Sequence, residues 1–187
     1  MHQQNLFSES SGPQKIELVH DFLTEAEEAT LLEHFQSMTW QKVEMHGVVA
    51  KRRVAHFGLD YTYTKRSVRD TTPAPHWLAD LTARVAKLIG TSASDIKEFL
   101  ITFYPAGAGI GWHKDAEVFG DAIIGVSFLS DCTMKFRNPA TSEVVKLFIP
   151  RRSAYLFSGE ARWNWLHTIS SHPQDRYSIT FRTLLKK

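Results

Sequence analysis

One cysteine, Cys132, among 187 residues excludes an internal disulfide framework. The sequence has no apolar run approaching the ~20 residues that a membrane span requires. It also does not open with the basic, apolar and small-residue progression of a secretory signal. An excess of one charge is missing too: 22 Lys and Arg against 20 Asp and Glu leave a formal charge of +2, so this is not a strongly basic nucleic-acid coat. Seven prolines and ten glycines are too few for collagen or a low-complexity chain. These absences lead us to expect a soluble, cytoplasmic monomer that does not engage membranes. What is present suits a folded core, since 43% of residues are hydrophobic and 12% aromatic. A domain of this length buries roughly 70% of the surface of its unfolded chain, so any metal it takes is not needed to hold the fold. Histidine is plentiful, with nine copies.

The polar residues 1–12, with Ser8, Ser10 and Ser11, read as a flexible arm, and residues 13–187 as one domain. Thr24 and Glu27 form a capping-box pattern that predicts a helix to about Ser37, with Ala29, Leu32 and Phe35 on its buried face beside Leu31. A second helix is expected after Pro73 and Pro75, burying Trp77, Leu78, Leu81, Val85 and Leu88 and ending at Gly90. Residues 41–63 alternate well enough for short strands joined at Gly47 and Gly58. Lys51, Arg52, Arg53, His56, Lys65, Arg66 and Arg69 are interleaved there with Phe57, Tyr61 and Tyr63. Such a stretch is either a solvated face or one where cations hold phosphates and rings stack on bases. Strands are predicted at 99–104, 123–129, 133–136, 144–149, 154–157 and 177–184. Helices followed by many short strands indicate an α+β protein whose C-terminal half closes as a double-sheeted β structure.

The chemistry concentrates in Gly111-Trp112-His113-Lys114-Asp115. On an extended segment, residues two apart share a face, so His113 and Asp115 can offer an imidazole nitrogen and a carboxylate oxygen to one point. His167 and His172 are both candidates for a third donor. Two histidines and one carboxylate leave open positions on an octahedral ion, as in non-haem iron(II) oxygenases. Arg176 and Arg182 are six apart in Arg-Tyr-Ser-Ile-Thr-Phe-Arg, an even spacing that puts both guanidinium groups on one strand face. Two buried forks without partners would be costly, and a small dicarboxylate would satisfy both.

Taken in order, Tyr104-Pro105-Ala106-Gly107, His113-Lys114-Asp115, Ser158-Gly159-Glu160-Ala161-Arg162 with His167, and Arg176 to Arg182 resemble the AlkB family of iron(II) and 2-oxoglutarate-dependent dioxygenases. The resemblance implies a double-stranded β-helix (jelly-roll) core with two N-terminal supporting helices and a nucleotide-recognition lid over about 41–70. It makes His113, Asp115 and His167 the ligands of Fe(II). It pairs Arg176 and Tyr104 with the distal carboxylate of 2-oxoglutarate and Arg182 with the carboxylate beside the keto group, with O2 as the oxidant. Thr102 and Ser178 stand where the bacterial repair enzyme has asparagines, and Thr168 where the family usually has glycine. Substrate contacts are expected from Arg52, Arg53, His56, Tyr61 and Lys65, and from Glu117 as in repair-type members. Arg162 is expected to stand behind the iron ligands, and Trp112 in the core.

The implied activity is oxidative demethylation of N-alkylated bases in DNA or RNA, releasing succinate, carbon dioxide and formaldehyde. Four features point elsewhere in the family. The stretch from Arg53-Val54-Ala55-His56-Phe57-Gly58 to Tyr63, Phe119-Gly120-Asp121, Ile149-Pro150-Arg151-Arg152-Ser153 and the Ser158-Gly159-Glu160 turn resemble the branch that hydroxylates a tRNA wobble base. Alternatives are therefore wobble-base hydroxylation, a protein or small-metabolite substrate, or a non-catalytic nucleic-acid-binding relative.

Overall fold

Alternation of apolar with polar residues over the second half of the chain generates strands that bury one face against helices and the other against a second sheet. The computed structural model describes residues 3–5, 12–45, 48–62 and 67–185. In chain order the elements are β1 (Gln3–Asn5), β2 (Ile16–Val19), α1 (Glu25–Gln36), β3 (Gln41–Met45), β4 (Val48–Thr62) and β5 (Ser67–Asp70). A 3₁₀ turn, His76–Leu78, leads into α2 (Ala79–Leu88), and a second, Ala93–Asp95, into β6 (Ile96–Tyr104). There follow β7 (Ile110–His113), β8 (Phe119–Phe128), β9 (Cys132–Arg137), β10 (Val144–Ile149), β11 (Ala154–Phe157), α3 (Gly159–Trp163), β12 (Leu166–Ile169) and β13 (Arg176–Leu184). None of the described helices is long and apolar enough to cross a membrane.

Two sheets face each other, as expected of a jelly roll. The larger runs β1-β2-β11-β8-β13-β6-β4-β3 with β5 on β4, and the smaller runs β10-β9-β12-β7. Period-two alternation on the central strands sorts residues between two cores. Ile124, Val126 and Phe128 of β8 and Ile179 and Phe181 of β13 meet Leu31 and Phe35 of α1 and Leu81 and Val85 of α2. On the opposite face, Ile123 and Tyr104 pack with Met134, Phe136, Phe157 and Ile169 between the sheets. The helices thus back the larger sheet, and the inter-sheet space holds the inward side chains of β6 and β13.

Thr24 caps α1 as predicted: its hydroxyl accepts from the Glu27 amide at 3.2 Å, and the Glu27 carboxylate accepts from the Thr24 amide at 2.7 Å. The buried stripe differs from expectation, because Ala29 is exposed and Glu28 is buried with Leu31 and Phe35. Glu28 is inside because it accepts from the Leu129 amide at 2.8 Å and from Arg151 at 2.5 Å, tying α1 to the sheet beneath it. Gly90 follows α2 with φ +64.

Gly58 does not join two strands but lies within β4 at φ +75, where an added Cβ would sit 2.1 Å from the Lys97 carbonyl oxygen. β4 pairs with β6 up to Gly58 and with β5 from Leu59 onward, so this glycine is the corner at which the strand leaves the sheet. The predicted strands omit β2, β5, β7 and β12, each only four residues long and interrupted by a polar residue or glycine. Within the segment expected as an arm, Gln3–Asn5 pairs with β2. The rest of that segment up to residue 11, together with Gly47, Tyr63, Lys65 and Arg66, lies outside the described residues.

Candidate active site

His113 ends β7 and faces His167 of β12 directly across the ladder of the smaller sheet. Their rings stand 4.2 Å apart between centroids, and Asp115 Oδ2 lies 3.4 Å from His167 Nε2. His113, Asp115 and His167 are therefore brought together. His172, the other candidate, is not: it lies beyond β12, its Nδ1 accepts from the Gln174 amide at 3.2 Å, and its carbonyl accepts from the Gly107 amide.

Burial shapes the charge state of this trio. Burial, with His113 beside it, pushes the His167 imidazole down to about 3, and burial also lowers His113, so both rings are neutral near pH 7. Burial alone would raise Asp115, but Arg182, His167 and His113 hold its carboxyl well below the usual carboxylate range. His113 Nδ1 lies 2.8 Å from the Gly111 carbonyl, which orients the ring and leaves Nε2 as the free donor.

Two neutral imidazoles and an ionised carboxylate are what a divalent iron site asks for. Asp115 Oδ2 is buried without a hydrogen-bond partner, a cost a cation would remove. The other oxygen, Oδ1, is drawn to Arg182, and among the described residues no three His, Cys, Asp or Glu side chains close on one ion. The donor set fits a metal that recruits Asp115 Oδ2 while Arg182 keeps Oδ1. Arg162, 2% exposed, supports the loop from behind by donating to the carbonyls of Asp115 at 3.1 Å and Ala116 at 2.7 Å. Thr168, in place of the family's glycine, donates to the Ile110 carbonyl at 2.5 Å and ties β12 to β7.

The arginines fall on the larger sheet with their side chains between the layers. Arg176 is fully buried; its Nε donates to Ser127 at 3.1 Å, and its guanidinium lies over the Tyr104 ring at 5.2 Å. Tyr155 is its neighbour, yet neither Nη1 nor Nη2 reaches a partner with hydrogen-bond geometry. A buried cation with two idle donors marks an anion site. Gly125 makes room here, since a Cβ at that position would meet the Tyr155 ring at 2.0 Å. Arg182 departs from expectation because it is ion-paired on both sides, to Asp115 and to Glu98, its register partner on β6.

Sequence reasoning missed Glu98. The available signal was an acid in an apolar run, Ile96-Lys97-Glu98-Phe99-Leu100, opposite an arginine on the next strand. Burial raises the Glu98 carboxyl, against the pull of Arg182, and His56 Nδ1 lies 3.8 Å from it. Thr102 and Ser178 are buried register partners on β6 and β13.

A small inner cavity of about 120 Å³ is bounded by Thr102, Tyr104, His113, Asp115, His167 and Arg182. It adjoins an outer groove of about 480 Å³ under β3 and β4, lined by Arg52, His56, Tyr61 and Trp112, and His113 borders both. Of the expected substrate contacts, Arg52, His56 and Tyr61 line this groove. Arg53 does not, because it points from the opposite face of β4 and is exposed. Glu117 is exposed and lines neither cavity. Arg69 is occupied by Asp60 at 2.6 Å within the β4–β5 hairpin. Trp112 is not a core residue: it is 37% exposed, with the Arg137 guanidinium 4.8 Å from its ring centroid.

Comparison with known proteins agrees with this architecture. The solved structure of OsALKBH1 has the same fold, with a TM-score of 0.70 at 15% identity over 94% of this chain and 99% of that one. An Arabidopsis thaliana protein named alkylated DNA repair protein ALKBH8 homolog is 30% identical over 185 residues, covering 85% of this chain and 51% of that protein. The Xenopus tropicalis tRNA (carboxymethyluridine(34)-5-O)-methyltransferase alkbh8 is 31% identical over 175 residues, covering 91% of this chain and 27% of that protein. The chain therefore spans about half the length of the first relative and about a quarter of the second. The family model of the 2OG-Fe(II) oxygenase superfamily matches residues 11–182, from before β2 to Arg182 itself. The paired histidines, the buried carboxylate and the idle guanidinium of Arg176 all lie within that match, and the chain belongs to the 2OG-Fe(II) oxygenase superfamily as an AlkB-type dioxygenase domain that uses Fe(II), 2-oxoglutarate and O2.

Proposed function

We propose that this domain oxidises an alkyl group carried by a nucleobase in DNA or RNA, and that an N-alkyl group so oxidised leaves as an aldehyde, formaldehyde from a methyl. The observation that carries the reading is the outer groove, which brings a cation, two aromatic rings and an imidazole (Arg52, Tyr61, Trp112 and His56) to the mouth of the cavity holding His113. A base lifted from its stack meets rings and a cation there, as enzymes acting on bases require.

His113 Nε2, Asp115 Oδ2 and His167 Nε2 would hold the iron. Arg176 and Tyr104 would bind the distal carboxylate of 2-oxoglutarate, which would satisfy the Nη1 and Nη2 donors that Arg176 leaves without a partner. Arg182 sits beside the carboxylate next to the keto group, while Thr102 and Ser178 offer hydroxyl donors nearby. Bound Fe(II), 2-oxoglutarate and O2 supply the oxidising power, and the cosubstrate ends as succinate and carbon dioxide. The apolar wall of Ile123, Met134 and Phe157 keeps water from the reacting centre.

A second reading, hydroxylation of a modified tRNA wobble base, is supported by Phe119-Gly120-Asp121 and by the Xenopus relative being named for carboxymethyluridine 34. Anaerobic titration with Fe(II) and 2-oxoglutarate should give the weak visible band of a chelated cosubstrate, absent in His113→Ala; a silent spectrum in the wild type would sink the metal assignment. Succinate release stimulated by oligonucleotides carrying 1-methyladenine or 3-methylcytosine selects demethylation. Stimulation only by tRNA bearing a modified wobble uridine selects the second reading, and no response to either class rejects a nucleobase substrate.

A further inference from the structure

Outside the cleft, the most unusual surface is the outer face of the smaller sheet. Cys132, Met134 and Phe136 of β9 and Leu147 and Ile149 of β10 point into the core, so alternate residues point to solvent. On that face Lys146 of β10 lies directly opposite Lys135 of β9, and Val144 opposite Arg137. Like charges placed directly across a ladder repel one another. No carboxylate stands at an outward position of β9, β10, β12 or β7 to offset them. Among the described residues, no ion pair involves Lys135, Arg137 or Lys146. Aromatic surface flanks these cations: Trp112 lies under Arg137, and Phe148 is 58% exposed.

This face is continuous with the cleft, because Trp112 also lines the outer groove. From Trp112 on β7 the stripe crosses β12 and β9 to reach Lys146 on β10. At about 4.8 Å per strand, those three steps span about 14 Å. Cations at intervals, with rings beside them and no acid at an outward strand position, match a phosphodiester strand whose bases are free to stack.

We propose that the outer face of the smaller sheet is a docking track for the single-stranded backbone of the substrate nucleic acid beyond the target base, with Lys135 and Lys146 on phosphates and Trp112 with Arg137 at its junction with the cleft. The inference rests on the nucleic-acid reading above. It assigns the affinity for long substrates to side chains remote from the iron and 2-oxoglutarate positions.

The test is K135Q/K146Q, which removes both charges from outward-facing strand positions, Lys135 half-buried and Lys146 exposed, and relieves their mutual repulsion. Binding of unmodified oligouridine RNA and oligothymidine DNA is measured across a salt series, beside uncoupled succinate formation without substrate. The expected result is a several-fold loss of affinity at low salt, with the slope of log K against log [salt] shallower by about 0.7 for each phosphate that is no longer neutralised. Uncoupled turnover and the melting temperature should be unchanged or slightly raised. The RNA and DNA arms show which backbone the track prefers. Unchanged affinity and slope in a variant of a wild type that binds would overturn the track alone, leaving the lysines as solubilising charges on the face of the sheet. A wild type that binds neither nucleic acid overturns both the track and the nucleic-acid reading.

Discussion

Arg182 is the residue whose surroundings most alter the chemistry of the site. A guanidinium between Glu98 and Asp115 has its charge balanced before any cosubstrate arrives, unlike the idle fork of Arg176. Glu98 thus competes with the cosubstrate for Arg182 and frees Asp115 from serving as its only counter-ion. Removing one partner of a buried pair leaves the other charge exposed to a low dielectric. Glu98→Ala should cost about 3 kcal/mol in urea unfolding, with Glu98→Gln costing less because one hydrogen bond survives. An alanine variant as stable as the parent would show that Asp115 alone satisfies Arg182. His113, Asp115, Arg176 and Arg182 were legible in the sequence because their spacing repeats the two-residue period of a strand. Glu98 was not, because its partner lies 84 positions away and only the β6–β13 register brings them together.

Individual elements owe their placement to small residues as much as to apolar ones. Gly125 of β8 faces Tyr155 of β11 directly across the ladder, and the tyrosine ring occupies the volume that any side chain at 125 would need. Tyr155 in turn walls the space around Arg176. Gly125→Ala should destabilise the fold by about 1–3 kcal/mol through overpacking. Because the displaced ring moves against Arg176, affinity for 2-oxoglutarate should fall as well, measured by the cosubstrate dependence of the visible band. A loss of stability with unchanged 2-oxoglutarate affinity would separate Tyr155 from the cosubstrate pocket. The principal core strands and both longer helices could be read from periodicity and capping. The exchange of Ala29 for Glu28 on the buried stripe could not, since Glu28 is stabilised inside by Arg151, more than a hundred residues away.

For the whole molecule, two apolar cores lie on either side of the larger sheet, and a chain of this size buries enough apolar surface in them to fold. Chelation should therefore leave a cooperatively folded protein. Fe(II) at a hundredfold excess over its dissociation constant adds about 2.7 kcal/mol by mass action. That corresponds to roughly 5–10 °C in melting temperature for a chain of this size. Differential scanning fluorimetry with and without Fe(II) measures it, and unfolding on chelation would mean the metal is part of the core. The sequence by itself determined the double-sheeted, β-rich C-terminal half, the capped first helix, the pairing of His113 with Asp115 and the shared strand face of Arg176 and Arg182, because each follows from local period or short spacing. Tertiary structure alone decided that His167 and not His172 faces His113, that Arg53 turns from the groove while Arg52 lines it, and that Trp112 lies on the surface under Arg137. Those outcomes depend on which strands pair, in which register and on which face, and that is settled by contacts between segments far apart in the chain.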